Sequence, residues 1–293
     1  MNIDDLVRGS IDMHCHSAPD ALFPARMDAL DTAKWARQMG MRAIVLKSTF
    51  YNTGPLAMLV SQLVPEVKVF GGICLEYQIG GLNFYAIEAS ARCGARVVWM
   101  PTHSSSNSRP KTRSRLPGVT LLEGDGFSIL NRDHALVPEM GRILSLVKEH
   151  NLILASGHIS PPETFALVEE AKAVGISKIV ITHASSTQNM EAGPNSFTME
   201  YQRRLGQMGA FIEHSYVCFM PTDFREDPKP MVEAIRYVGA EHCIMSTDLG
   251  QYYNPPPAEG MRMFIALLLK NGISEREIEL MAKKNPAKLL DID

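Results

Sequence analysis

Little in this sequence is basic, disulfide-forming or continuously apolar, and each scarcity removes a class of function. Its 29 Lys and Arg are outnumbered by 32 Asp and Glu, giving a net charge of -3 with histidine neutral. With no dense Lys/Arg stripe, nucleic acid is excluded as an obligate partner, and the one basic cluster, Arg109 to Arg115, is local. No apolar run reaches the roughly 18 residues needed to span a bilayer, so no membrane partner is expected. The opening Met1-Asn2-Ile3-Asp4-Asp5 lacks the basic and apolar regions of a signal peptide, which leads to the expectation of a cytoplasmic protein. The five cysteines (15, 74, 93, 218 and 243) are odd in number and show no Cys-x-x-Cys spacing. Most sit inside apolar runs, as buried free thiols do, so no disulfide framework is expected. With 45% hydrophobic and 21% charged residues, the composition is that of a soluble globular chain with a substantial core.

What is present is a repeated punctuation. Helix-like stretches end at Gly40, Gly94, Gly175, Gly209 and Gly239, and an apolar run of strand length follows each. These runs are Met41 to Lys47, Arg96 to Met100, Lys178 to Thr182, Ala210 to Glu213 and Cys243 to Ser246. Ser10 to His14, Val67 to Leu75 and Leu152 to Ser156 bring the total to eight. Such nearly continuous apolar runs (Ile44-Val45-Leu46, Val97-Val98-Trp99-Met100) suit parallel strands covered on both faces. Ser160-Pro161-Pro162-Glu163 and Ser274-Glu275-Arg276-Glu277 are capping-box patterns that open amphipathic stretches.

Eight alternating units in 293 residues predict an α/β fold, a single (β/α)8 TIM barrel. The runner-up is an open doubly wound sheet. That fold usually carries a Gly-rich phosphate turn after its first strand, a position held here by His14-Cys15-His16-Ser17-Ala18-Pro19-Asp20. One connection is far longer than the others. Residues 102–138, after strand four, read as a long loop or hairpin insertion over the active-site face, with the hairpin centred on Glu123-Gly124-Asp125-Gly126.

Barrel folds do their chemistry at the C-terminal ends of their strands, and the polar residues collect there. His14 and His16 end strand one. In an extended strand side chains alternate, so these two share a face, while Met13 and Cys15 take the other. Lys47 ends strand two, His158 strand five, His183 strand six, Glu213 and His214 strand seven, and Asp248 strand eight. Counting His103 after strand four, six of the nine histidines gather at one mouth. His134, His150 and His242 fall in loops or helix ends and read as structural.

This pattern resembles the amidohydrolase superfamily, in which strand one carries His-x-His, strands five and six carry histidines, and strand eight carries an aspartate. Asn285-Pro286-Ala287, inside Lys284 to Leu290, resembles the Asn-Pro-Ala-x-x-Leu ending common in that group. Ser156-Gly157-His158 is similar to the strand-five turn of its phosphotriesterase-like branch. The resemblance implies a divalent-metal cofactor, zinc first, with one or two ions per chain. His14, His16 and Asp248 would hold the more buried ion, and His158 and His183 a second; in mononuclear members one of this pair completes the first site and the other holds substrate. Asp248 would also act as the general base toward a metal-activated water.

The sequence departs from the binuclear pattern at strand four, where the carboxylated lysine that often bridges two metals is replaced by Met100-Pro101-Thr102-His103. Lys47 and Glu76 are the candidates for that bridge, and Lys47 is alternatively a seat for a substrate carboxylate. His103 and Glu213 are candidates for supporting or substrate-binding positions. Asp20 and Arg26 in the first loop, and Arg109, Arg113 and Arg115 in the long one, are candidates for recognising an anionic substrate.

The expected function is therefore a metal-dependent hydrolase cleaving an amide, lactone or ester bond of a small molecule. The alternatives are a mononuclear decarboxylase or carbon–carbon lyase on the same scaffold, and a metal-binding barrel without catalysis. Self-association into a homo-oligomer is the expectation for a soluble barrel, with no surface assigned to it.

Overall fold

The computed structural model describes residues 2–110, 112, 119–186, 197–222 and 225–292. Each apolar run forms a strand: β1 (Ile11–Cys15), β2 (Ala43–Leu46), β3 (Lys68–Cys74), β4 (Ala95–Trp99), β5 (Ile153–Ala155), β6 (Ile179–Ile181), β7 (Phe211–Ser215) and β8 (Cys243–Ser246). Among the described residues these form one eight-stranded parallel sheet in the order β1 to β8, with helices between the strands: a (β/α)8 barrel. Both predicted capping boxes are present, Ser160 with Glu163 opening the helix Pro161–Ala173 and Ser274 with Glu277 opening Glu275–Glu279. Each satisfies two backbone N–H groups that have no partner within their helix.

Alternation along the strands sorts the core into two layers. Ala43, Val45, Val97 and Trp99 fill the barrel interior, whereas Ile44, Leu46 and Val98 pack outward against the helices. The Trp99 ring lies over Gly72 of the neighbouring β3, the residue paired with Val97. A Cβ at Gly72 would stand 2.3 Å from the indole ring.

β1 breaks the expected alternation. Ile11 and Met13 belong to the inner layer and Cys15 to the outer one, and the pairing with β2 shifts register between Asp12 and Cys15. The expectation that Met13 shares the face of Cys15 is thus corrected, because a bulge inserts a residue at this point. The buried carboxylate of Asp12 holds the bulge. It accepts from the backbone N–H of His14 (3.2 Å), the N–H of Thr247 (3.0 Å) and the hydroxyl of Thr247 (2.5 Å). Beyond it the β1/β8 seam is fastened where Asp248 N–H donates to the His14 carbonyl and His16 N–H to that of Leu249, both at 2.7 Å.

In the connection 102–138, of which residues 111 and 113–118 lie outside the described residues, the β-prone runs on either side of Glu123-Gly124-Asp125-Gly126 do not pair with each other. The antiparallel bridge falls between Leu130 and Leu136. A short 3-10 turn covers Thr120–Leu122, and Phe127 pairs instead with the segment just after β4, donating to the Ser104 carbonyl (2.9 Å) and accepting from Ser106 N–H (3.0 Å). Arg109 is buried and donates to the carbonyls of His103 (3.2 Å), Leu121 (3.1 Å) and Glu123. Its guanidinium lies 5.1 Å from the Tyr77 ring centroid. Arg109 therefore clamps loop backbone rather than facing a substrate, while Arg113 and Arg115 lie outside the described residues. All five cysteines are free thiols, and no described helix is long and apolar enough to cross a membrane.

Candidate active site

Five of the sequence-predicted residues meet at the C-terminal mouth of the barrel in two groups. His14 Nε2 and His16 Nε2 lie 3.0 and 3.1 Å from the same oxygen, Asp248 Oδ1. Among the described residues these three form the one cluster of His, Cys, Asp or Glu donors able to hold a metal ion, with ligand atoms all within 4.8 Å of one another. Beside them His158 Nε2 and His183 Nε2 approach to 2.9 Å, and the His183 ring stacks 6.2 Å from that of His14.

The backbone is bent to present these groups. Asp248 (φ 55°) and His183 (φ 30°) both have positive φ, a conformation that costs a non-glycine residue about 1–3 kcal/mol and concentrates at functional sites. The bond from Asp248 N–H to the His14 carbonyl (2.7 Å) and the one from His183 N–H to Glu213 Oε2 (3.0 Å) hold these conformations in place. His158 follows Gly157, which has φ +57° and passes so close to β4 that a Cβ would stand 2.3 Å from the Met100 carbonyl oxygen.

Burial and charge divide the titrating groups. Burial opposes the ionised form of Asp248, but the charge and hydrogen bonds of His14 and His16 overcome it and hold this carboxyl well below its usual range. Burial likewise disfavours a proton on His14, yet Asp248 and Glu213 raise it to about 9. His183, desolvated and facing other cationic groups, is pushed down to about 4, and burial lowers His158 and His16 as well. Imidazole nitrogen beside an ionised carboxylate is the donor set that borderline divalent metals accept; His16, His158 and His183 are held neutral, and an ion would take the place of the proton on His14.

One contact makes the fit specific. His14 Nε2 lies 3.0 Å from Asp248 Oδ1, an acceptor, and 3.0 Å from Lys47 Nζ, a donor. Protonated, it serves the carboxylate and opposes the lysine; deprotonated, it does the reverse. A divalent cation between His14, His16 and Asp248 would satisfy the nitrogen and the carboxylate oxygen together, and would leave Lys47 without His14 as its acceptor. The residues fit a metal.

The remaining candidates separate. Glu213 is buried behind the cluster and accepts from the His14 ring at Nδ1 (3.3 Å), as a carboxylate orienting a ligating imidazole does. His214, next on β7, turns away to Ser185 Oγ at 3.0 Å. Glu76 is not brought to the donors: it accepts from Thr102 N–H (2.5 Å), the Thr102 hydroxyl (2.6 Å) and Ser104 N–H (2.8 Å), fixing the loop after β4. Lys47, His103 and Asp20 line a cavity of about 920 Å³, counting its open mouth, together with His16, His158, His183 and Asp248. His103 lies between Phe50 and His158, while Asp20 accepts from the N–H groups of Leu22 (2.8 Å) and Phe23 (2.6 Å). Arg26 is exposed, lies outside the cavity lining and contributes its backbone N–H to the Gly250 carbonyl.

Two participants escaped sequence reasoning. Asp12 could have been noticed as an acid inside an apolar run two residues before His14. Ser108 Oγ, 3.1 Å from His158 Nδ1, lies in a loop segment with no such signal.

Residues 9–213 match DUF6282, described as a family of unknown function. The chain belongs to this family. No curated protein matches it. Solved structures similar to this DUF6282 chain include an amidohydrolase from Pseudomonas aeruginosa (13% identity, 99% of this chain and 98% of that one covered, TM-score 0.64). An organophosphorus hydrolase from Deinococcus radiodurans (14%, 99% and 94%, TM-score 0.58) and a 2,6-dihydroxybenzoate decarboxylase from Rhizobium (12%, 97% and 99%, TM-score 0.56) are similar too. At these identities the likeness is one of fold. The barrel expected from the strand-end motifs is the barrel of these proteins.

Proposed function

We propose that this protein is a metal-dependent hydrolase, with zinc as its metal, acting on an amide, lactone or ester bond of a small molecule. The observation that carries the reading is the convergence of His14, His16 and Asp248 within 4.8 Å at the mouth of the barrel. His14 Nε2, His16 Nε2 and Asp248 Oδ1 would hold the ion, with His183 and His158 alongside. Held by these residues, a divalent ion would supply Lewis acidity toward a water and toward the oxygen of the scissile bond.

The chain supplies the rest. Glu213, acting at Nδ1, fixes the tilt of the His14 ring and leaves Nε2 turned toward the cluster. Asp248 faces the cavity with its side chain 15% exposed, and its Oδ1 is occupied by the two imidazoles. Its Oδ2 is the atom that accepts the proton of the attacking water and returns it to the leaving group. His183 and His158, held neutral by burial, meet at Nε2, and a substrate oxygen would accept the N–H that the two now share. The test is a screen of zinc-loaded protein across the three bond types, with chelation and Asp248→Asn as controls. Turnover abolished by both is the expected result, and turnover indifferent to both would overturn the reading.

A decarboxylase is the second reading. Two observations favour it: the donors form a single group of three, and the atom near them is Lys47 Nζ rather than a bridging carboxylate. Elemental analysis near one metal per chain, with CO2 release from an aromatic carboxylate, would select it.

A further inference from the structure

Lys47 is 4% exposed and stands at the end of β2, its N–H on the Cys15 carbonyl (2.9 Å) and its Nζ 5.6 Å from the centre of the Trp99 ring. A lysine carries three N–H donors and needs acceptors for them once it is buried. Among the described residues no carboxylate lies within 4.0 Å of Nζ, and its polar contact is His14 Nε2 at 3.0 Å. That acceptor is also the atom the metal reading claims, and the inference rests on that reading. Once His14 Nε2 faces an ion, Lys47 loses its hydrogen-bond acceptor and gains a second positive charge nearby. Two adjacent buried cations need an anion between them. The structure offers it a route: Lys47 is the one lysine or arginine among the described residues lining the cavity, whose wall also includes Phe23, Ala25, Val217 and Tyr253.

We propose that Lys47 is the anion seat of this cavity, and that the substrate is a small carboxylate whose charged end rests on Lys47 Nζ while its apolar body lies along Phe23, Val217 and Tyr253. Asp20 is the other carboxylate lining the cavity besides Asp248, which the metal reading already pairs with the ion, so Lys47 is the lining side chain that attracts an anion. A charge-assisted N–H···O contact in a water-poor site supplies the affinity, and the apolar wall supplies the orientation.

The test is a calorimetric titration of the zinc-loaded full-length protein with benzoate, and with benzamide as a neutral control of the same shape. Benzoate is expected to bind, and Lys47→Met to weaken it fivefold or more with benzamide unchanged. A smaller loss overturns the proposal, because a carboxylate held by the metal alone would keep its affinity in the variant. If Lys47→Met does not fold, the 15Nζ resonance of Lys47 in the wild type decides: a saturable shift with benzoate but not benzamide supports the seat, and no shift overturns it. Zinc content of the same samples reports on the metal reading separately. A protein that binds no zinc overturns both readings, because Lys47 then keeps the His14 acceptor, whereas zinc binding with no Lys47-dependent benzoate affinity overturns the anion seat alone.

Discussion

Asp12 offers the sharpest physical test of how the site is held. Its carboxyl is wholly buried, and desolvation pushes its pKa from 3.8 up to about 7 against the bonds from Thr247 and His14 that favour the charged form. A raised acid binds its proton more tightly in the folded chain than in the unfolded one. Its contribution to stability is therefore complete below pH 3.8 and is lost as pH rises toward about 7. Within that window the loss is about 1.4 kcal/mol per pH unit, so between pH 5 and pH 7 it reaches about 3 kcal/mol. Asp12→Asn keeps an acceptor oxygen for the N–H groups of His14 and Thr247 but has nothing to titrate. Urea unfolding of metal-free wild type and variant should give curves that converge at one end of this range and diverge at the other. The difference, variant minus wild type, should become more positive by about 3 kcal/mol from pH 5 to pH 7. A difference that stays constant with pH would refute the reasoning, because it would mean that Asp12 is no harder to ionise in the fold than in the open chain.

Other expectations follow from the same geometry. Glu213→Gln removes the carboxylate behind His14 and should weaken zinc binding about 10- to 100-fold in competition with a chromophoric chelator, with unchanged affinity as the refuting result. Gly157→Ala forces a Cβ to 2.3 Å from the Met100 carbonyl oxygen at a positive φ, and should cost about 3 kcal/mol or more in thermal or urea unfolding. His214, pushed down to about 4 by burial, binds a proton more readily unfolded, so the fold loses stability as pH falls from 6.5 toward 4. His214→Gln should remove about 3 kcal/mol of that loss and move the acid-unfolding midpoint to lower pH; an unmoved midpoint would count against it.

The sequence revealed most of the frame because the barrel repeats one local instruction. A glycine ends a helix, an apolar run follows, and a polar residue marks where that run reaches the mouth; His158, His183 and Asp248 were legible on that ground. The seam was not legible. A two-residue period has no symbol for the bulge at Met13, and nothing in the order of letters says that Asp12 would bond to a threonine 235 residues away. The loop after β4 misled for a different reason. Its β-prone runs promised to pair with each other, but the backbone of Ser104 and Ser106 took the place of the second strand, and Arg109 was drawn in to satisfy the carbonyls left over. Glu76, a candidate bridge by position, was claimed by the amides of that same loop.

The seam between β1 and β8 also sets a timetable. His16 and Asp248 are separated by 232 positions, so a ribosome must make all eight strands before the two can meet. Until β8 docks, the N-terminal histidines lack their carboxylate, and Asp12 lacks the threonine that holds its strand in shape. Assembly of the site is thereby a signal that the ring has closed, and a prematurely ended chain would carry two imidazoles with no third donor to complete the grip on a metal.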